Sequence, residues 1–441
     1  MSVKTRLKSI AERAPAPLAR LLAYVPFSVR LGPGYVRTLR LAAGMTSARA
    51  CDVRAWAFPK LKAIVRRAYE ETAFYRAFYD ARGYDPSRLR TFEHFQDIPI
   101  VTKADLREFG LEDRSTPAPR RMLINTGGTS GQPLAFHVDG EAFAREWAHM
   151  HLIWGRAGYH YRDLKLTMRG RNLGGDVLRY NAVHNEYIIN TYADRSAVAD
   201  ALYELLKRRR IQWIHGYPSI VSEIISSLAD IRPEAMRGLQ RNLKGVLLGS
   251  EFPAPHYVEP LKRTLGVQMT AWYGHSEMCV LAYEDASNHY VPLHSYGFVE
   301  ALDGSDGQRL IGTSYWNTAS PFIRYDTGDL VQAEVRDGVV ESFAVAAGRT
   351  GDFVIDGRGM RIALTALIFG RHHPAFDRCR HVQVRQVQPG KLELLVVPGD
   401  KTVGIPEIMS GFDFSNVELK VSPVLLSEPV RSEAGKIRLL V

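Results

Sequence analysis

The strongest constraint in this sequence is an alternation of short apolar runs with amphipathic stretches between about residues 160 and 272. Ser196 opens a helical pattern with Val198, Ala201, Leu202, Leu205 and Leu206 on one face. The basic run 207–210 closes that helix, where cations suit the negative end of the dipole. A strand over 211–215 follows and stops at Gly216-Tyr217-Pro218. Next come a helix over about 219–228, a strand over 245–248, a helix near 256–265 and a strand over 267–272. Strand–helix alternation of this kind predicts a large multi-layer α/β domain with a mostly parallel sheet.

The flanking regions read differently. Trp56, Leu61, Ile64, Val65, Ala68, Tyr69, Tyr75, Phe78 and Tyr79 recur at helical spacing, which predicts one helix over 56–82, ended by Gly83 and Pro86. Thr102 with Asp105 three residues on predicts a capped helix start. Beyond residue 349 the pattern changes to short strands over 382–387 and 392–397, with turns at Pro389-Gly390 and Pro398-Gly399. That texture predicts a small, mobile α+β domain. The expected organisation is a basic arm (1–50), a large α/β domain (51–348) and a small C-terminal domain (349–441).

Charge and cysteines exclude several classes. The chain carries a formal net charge of +10 over 441 residues. Residues 1–50 hold nine Lys and Arg against one acid, Glu12, so the remainder is nearly neutral. A nucleic-acid protein spreads its basic stripe over the folded domain, so nucleic acid is not an expected partner. The basic arm suits a solvated helix, a peripheral contact with an anionic membrane surface or an organelle transit peptide, and no apolar run approaches a membrane span. Three cysteines, Cys51, Cys279 and Cys379, lie far apart and fit a reducing, cytoplasmic setting rather than a disulfide framework. Cys279, His275, His256 and His294 lack the CxxC or HExxH spacing of a zinc centre and read as structural.

Six segments have the composition of a site. Thr126-Gly127-Gly128-Thr129-Ser130-Gly131 interleaves glycines with hydroxyls, so N–H and O–H donors can converge on phosphate. No Walker GxxxxGK(S/T) occurs. Ser250-Glu251 and Tyr273-Gly274-His275-Ser276-Glu277 each follow a predicted strand, at the end of a parallel sheet where ligands bind. Arg324-Tyr325-Asp326-Thr327-Gly328-Asp329 reads as an Asx-type turn with two carboxylates. Gly348-Arg349-Thr350-Gly351-Asp352 lies at the domain boundary, and Gly435-Lys436 lies near the C-terminus with Ile437, Leu439 and Leu440 suited to packing.

Taken in order, this series resembles the signature of the adenylate-forming superfamily: acyl-CoA synthetases, adenylation domains and luciferases. More narrowly it resembles the phenylacetate–CoA ligase-like branch and its capsular-polysaccharide-biosynthesis-type members. The narrower likeness rests on residues 72–76, on 98–107 and on His215-Gly216-Tyr217-Pro218-Ser219. The resemblance implies that ATP and Mg²⁺ activate a carboxylic acid as acyl-adenylate, with an amine, such as an amino sugar, or CoA then taking the acyl group. Thr126, Gly127, Gly128, Thr129, Ser130 and Gly131 would hold the β- and γ-phosphates. Ser276 would contact the α-phosphate, and Glu277 would ligate Mg²⁺. Asp329 and Arg349 would hold the ribose, and Tyr273 would lie against adenine. Ser250, Glu251, Gly274 and His275 would complete the nucleotide site. Lys436 would stabilise charge on the α-phosphate as pyrophosphate leaves.

The sequence departs from the family pattern at three places. Leu134 stands where a lysine usually follows the loop proline. Gly351, followed by Asp352, replaces the hinge acid. Residues 360–367 lack the proline and paired acids common in CoA ligases, which favours an amine acceptor over CoA. A catalytically retired scaffold in a membrane-associated polysaccharide complex is the alternative function.

Overall fold

The computed structural model describes residues 20–118, 120–125, 134–169, 173–191, 193–305, 307–347, 353–359, 361–363, 379–398, 404–410, 418–431, 437, 440 and 441. The chain forms two compact units, one built from residues 1–25, 157–271 and 350–441, the other from 26–156 and 272–349. The expected α/β class is the class observed. Among the described residues no helix is long and apolar enough to cross a membrane.

The first unit carries the alternating pattern. Its sheet runs, in spatial order, Leu178–Asn181, Glu186–Ile189, Lys165–Met168, Trp213–Gly216, Gly245–Leu248 and the first half of Gln268–Gly274. All pairings in it are parallel except the first, between Leu178–Asn181 and Glu186–Ile189. Fully buried Leu166, Ile214, Val246 and Leu248 on the strands pack with Val198, Leu202, Ile220, Ile224 and Leu261 on the helices. The helix Arg195–Arg208 starts one residue earlier than the pattern suggests, because Asp194 accepts hydrogen bonds from the Ser196 and Ala197 amides. Residues 379–425 add a three-stranded sheet of Cys379–Gln388, Lys391–Pro398 and Lys420–Leu425. Its first turn passes through Gly390 at φ 77°, a left-handed geometry that glycine adopts without strain. Leu440 bridges Val384, so the chain end does pack. Arg431 joins this C-terminal piece to the helix Pro218–Ile231 through Glu223, at 2.5 Å.

One buried ion pair sits in the parallel sheet of the first unit, between the strands Lys165–Met168 and Glu186–Ile189. Lys165 Nζ lies 3.1 Å from Glu186 Oε2, and Thr167 Oγ1 and Asn181 Nδ2 donate to the same carboxylate at 2.6 and 2.8 Å. Burial alone would raise the Glu186 pKa, but Lys165, His184 and the Thr167 hydrogen bond reverse this and hold it well below the carboxylate range. A depressed carboxyl stabilises the fold above its unfolded pKa of about 4.3 and loses that contribution as pH falls toward the folded value. Urea midpoints measured between pH 6 and 3 are therefore expected to fall in the wild type. The Glu186→Gln variant is expected to show a shallower slope, by up to about 1.4 kcal/mol per pH unit.

The second unit holds an antiparallel ladder. Its order is Gly297–Gly304, Gly307–Ser314, Tyr325–Arg336, Val339–Ala347, His289–Pro292, Leu281–Ala286 and the second half of Gln268–Gly274. A separate antiparallel pair, Arg121–Asn125 with Ala135–Asp139, flanks residues 126–133. The expected helix over 56–82 is in fact two helices, Ala50–Glu71 and Ala73–Asp80. Thr72 leaves helical geometry (φ −124°, ψ 139°), and its hydroxyl caps the second helix at the Tyr75 amide. The helix start at Thr102 is capped as expected: Thr102 Oγ1 accepts from the Asp105 amide and Asp105 Oδ2 from the Thr102 amide.

Candidate functional site

The strand Gln268–Gly274 ends in a tight turn in which the Met278 amide donates to the His275 carbonyl and Met278 takes φ 56°. This turn directs His275 and Glu277 inward and leaves Ser276 exposed. Beneath it lies Cys279, whose fit depends on two glycines. A Cβ at Gly297 would stand 1.9 Å from the Cys279 carbonyl oxygen, and one at Gly312 would stand 2.7 Å from Cys279 Cβ. Burial pushes the Cys279 thiol well up, so it is an unreactive core residue. Among the described residues no group of three His, Cys, Asp or Glu side chains has the arrangement of a metal site.

Glu277 is 6% exposed and is held at both oxygens. Tyr325 Oη donates to Oε1 at 3.1 Å, and His275 Nδ1 lies 3.2 Å from Oε2. A carboxylate oxygen is the donor type that a hard cation such as Mg²⁺ takes, so the chemistry of Glu277 fits one protein ligand to it.

Tyr325 belongs to a turn with an unusually firm base. Arg324, at φ 45°, donates through Nε and Nη2 to Glu300, both at 3.0 Å, and through Nη1 to the carbonyls of Gln96 and Ile98, both at 2.6 Å. Asp326 Oδ1 accepts from the Gly328 amide at 2.9 Å, the expected Asx turn, while its Oδ2 accepts from Arg309. Gly328 at φ 76° then delivers Asp329, 8% exposed, whose Oδ2 accepts a hydrogen bond from Tyr273 Oη. The Tyr273 ring stands edge-on to Phe343 at 5.2 Å. Thus two hydroxyls, Tyr273 on Asp329 and Tyr325 on Glu277, tie the two acidic motifs together.

Sequence reasoning gave Tyr325 no role, although the residue sits inside a singled-out segment. It also passed over Glu146, on the helix Ala142–Arg156, which accepts from Tyr296 Oη at 2.5 Å. Burial raises the Glu146 pKa, against the opposing effects of that hydrogen bond and of nearby His275.

In the first unit, Ser250 is exposed at φ 68°. Glu251 Oε2 accepts from the Ser219 amide at 3.3 Å and from Ser219 Oγ at 2.6 Å. That contact puts a carboxylate at the N-terminus of Pro218–Ile231, a helix whose own N-cap, Tyr217, provides no side-chain cap. Thr126, Gly127, Gly128, Thr129, Ser130, Gly131, Arg349 and Lys436 lie outside the described residues. Arg431 and Ile437, on either side of Lys436, form an antiparallel bridge.

No family model matches the chain. It is 27% identical over 311 residues to a phenylacetate–coenzyme A ligase of Aromatoleum evansii, an alignment spanning 64% of this chain and 66% of that protein. It is 19% identical over 252 residues to protein CapK of Staphylococcus aureus, spanning 55% of each. The chain thus spans less than two thirds of either relative. In three dimensions it is similar to a 2-hydroxyisobutyryl-CoA ligase solved in the postadenylation state, with a TM-score of 0.66, 18% identity and 90% of each chain covered.

Proposed function

We propose that the chain belongs to the adenylate-forming superfamily, on the phenylacetate–CoA ligase-like branch with CapK, and that it is an AMP-forming ligase that activates a carboxylic acid with ATP. The observation that carries this reading is the pairing of Tyr325 with Glu277 and of Tyr273 with Asp329. These contacts join the two acidic motifs that such chemistry needs, one for a cation and one for a diol.

In the first step a substrate carboxylate oxygen forms a bond to the α-phosphorus of ATP as the bond to pyrophosphate breaks. Thr126 to Gly131 donate to the β- and γ-phosphates, Ser276 to the α-phosphate, and Asp329 with Arg349 holds the ribose. Glu277 holds Mg²⁺, which supplies neutralising charge on the phosphates. Lys436 bears on the α-phosphate oxygens as their charge develops. In the second step an amine attacks the acyl carbon, loses a proton and displaces AMP. The CoA ligases among the relatives support thiol transfer as the other route, whereas residues 360–367 lack the CoA-ligase pattern and favour the amine. On this reading residues 51–348 form the large catalytic domain and 349–441 a mobile domain carrying Lys436.

ATP–pyrophosphate exchange over a panel of aryl, fatty, hydroxy and amino acids tests the proposal. One acid class is expected to support exchange. Absence of both exchange and ATP binding would favour the scaffold alternative. Within the same assay, Tyr325→Phe removes a hydrogen bond to a charged group, worth about 1.5–3 kcal/mol. It is expected to raise the Mg²⁺ needed for half-maximal exchange about tenfold or more.

The basic arm supports a peripheral contact with an anionic membrane surface in the cytoplasm, since residues 1–50 carry nearly all the net charge. Flotation with anionic vesicles should then depend on these residues; equal partition of the full chain and a chain without them would remove this part of the proposal.

A further inference from the structure

The two ends of the parallel sheet in the first unit differ in charge. Lys165, Trp213, Gly245 and Gln268 stand in line across four neighbouring strands. At about 4.8 Å between strands, that line is roughly 14 Å long. The chain entering it carries exposed Arg162, Arg208, Arg210, Arg241 and Arg263, each within five residues of the line. Five residues of chain reach at most about 18 Å, so these arginines gather at the amino-terminal end of the sheet. Ser250 and Glu251 follow the strand Gly245–Leu248 at the opposite end.

Acids near this end are engaged with other cations. Glu204 pairs with Lys207, Glu234 with Arg237, Glu259 with Lys262 and Asp163 with Lys244. None of the five arginines has an ion-pair partner among the described residues. Exposed Asp230, near the end of the helix Pro218–Ile231, offsets one of the five. Helix dipoles account for Arg208 and Arg263, which lie in last turns. Arg162 and Arg210 lie in connections outside any helix, so capping does not explain them.

A row of unpaired cations across several strands suits an extended anionic surface, which meets all of them at once. Residues 1–25 belong to the same unit and carry five Lys and Arg against one acid. Leu21 and Tyr24 there are 65% and 68% exposed. Exposed apolar side chains beside basic ones favour a lipid interface over a soluble acidic protein.

We propose that the amino-terminal end of this sheet is a docking surface for an anionic lipid bilayer, held through Arg162, Arg208, Arg210, Arg241 and Arg263. Docking there turns Ser250 and Glu251 away from the bilayer. The surface is distinct from the arm of residues 1–50 and stands independently of the ligase reading.

Co-sedimentation of the full chain with phosphatidylcholine vesicles, with and without phosphatidylglycerol, tests it. Binding is expected only with the anionic lipid, and weaker at high salt. Each cation at the surface is worth about fivefold in partition, so Arg210→Gln with Arg241→Gln and Arg263→Gln should weaken binding about a hundredfold. Arg88→Gln with Arg90→Gln and Arg107→Gln removes the same charge from exposed positions of the other unit. That triple should weaken binding by less than about fivefold. Where the first triple fails to unfold cooperatively in urea, Arg162→Gln with Arg210→Gln replaces it, with a loss of about twenty-five-fold. Equal losses in the two triples would reduce the effect to net charge and overturn the surface. Binding left intact by the patch variants would overturn it while sparing the arm. Absence of vesicle binding, with or without patch-dependent capture of polyglutamate or duplex DNA, would overturn the bilayer as occupant.

Discussion

Lys436→Ala is expected to lower ATP–pyrophosphate exchange by about two to three orders of magnitude. As pyrophosphate departs, charge moves onto oxygens that only a fixed donor can stabilise without reorganisation. Removing one such donor from a water-poor site typically costs about 3–4 kcal/mol of transition-state stabilisation. Because the interaction strengthens in the transition state, ATP affinity should change far less than the rate. Glu277→Ala is expected to produce a comparable loss for a different reason, removal of the only carboxylate in the Tyr273–Glu277 turn. The two are separable: raising Mg²⁺ restores part of the Glu277→Ala rate and none of the Lys436→Ala rate. Lys436→Ala should keep the wild-type unfolding free energy within about 0.5 kcal/mol, whereas Glu277→Ala, at a buried residue with contacts to Tyr325 and His275, should lower it by more than that.

Arg324→Met carries the largest expected loss of stability, about 3–5 kcal/mol. Arg324 and Glu300 are 4% and 6% exposed at their side chains, and the guanidinium also supplies two backbone carbonyls, those of Gln96 and Ile98. Truncation strands a buried carboxylate and two carbonyls at once. The neighbouring Tyr325 then loses its fixed approach to Glu277, so exchange should fall beyond what the unfolded fraction explains. Replacing both partners, Arg324→Met with Glu300→Met, removes the stranded charge and should recover part of the loss, a coupling that urea titration of the four-member cycle reads directly. Simple additivity of the two single variants would contradict the pairing described here.

The sequence reading succeeded where structure follows from local chemistry. The Thr102–Asp105 cap, the strand Gly245–Leu248 and the turn at Gly390 each depend on residues within a few positions of one another. It merged the helices Ala50–Glu71 and Ala73–Asp80 because the aromatic periodicity runs on through Phe74 and Tyr75 while Thr72 alone signals the break. The antiparallel ladder of residues 281–347 was not anticipated, since several of its strands are buried on both faces and register shifts at Arg309–Ile311 and Glu334–Val335 interrupt the alternation. Within the candidate site, the residue types were legible and their partners were not. Nothing in a linear pattern pairs Tyr325 with Glu277 across 48 positions, or sets Glu251 on the helix that begins at Pro218. Such contacts arise from sheet topology, which periodicity does not encode.

The identity of the nucleotide product tests the central claim most directly. The wild-type chain, incubated with Mg²⁺, ATP and each acid of the panel but no acceptor, is analysed for released phosphates and for adenylate by mass spectrometry. Pyrophosphate together with an acyl-adenylate for one acid class, both absent in Lys436→Ala, is the predicted result. Release of ADP and orthophosphate would contradict attack at the α-phosphorus, and with it the assignment of this site.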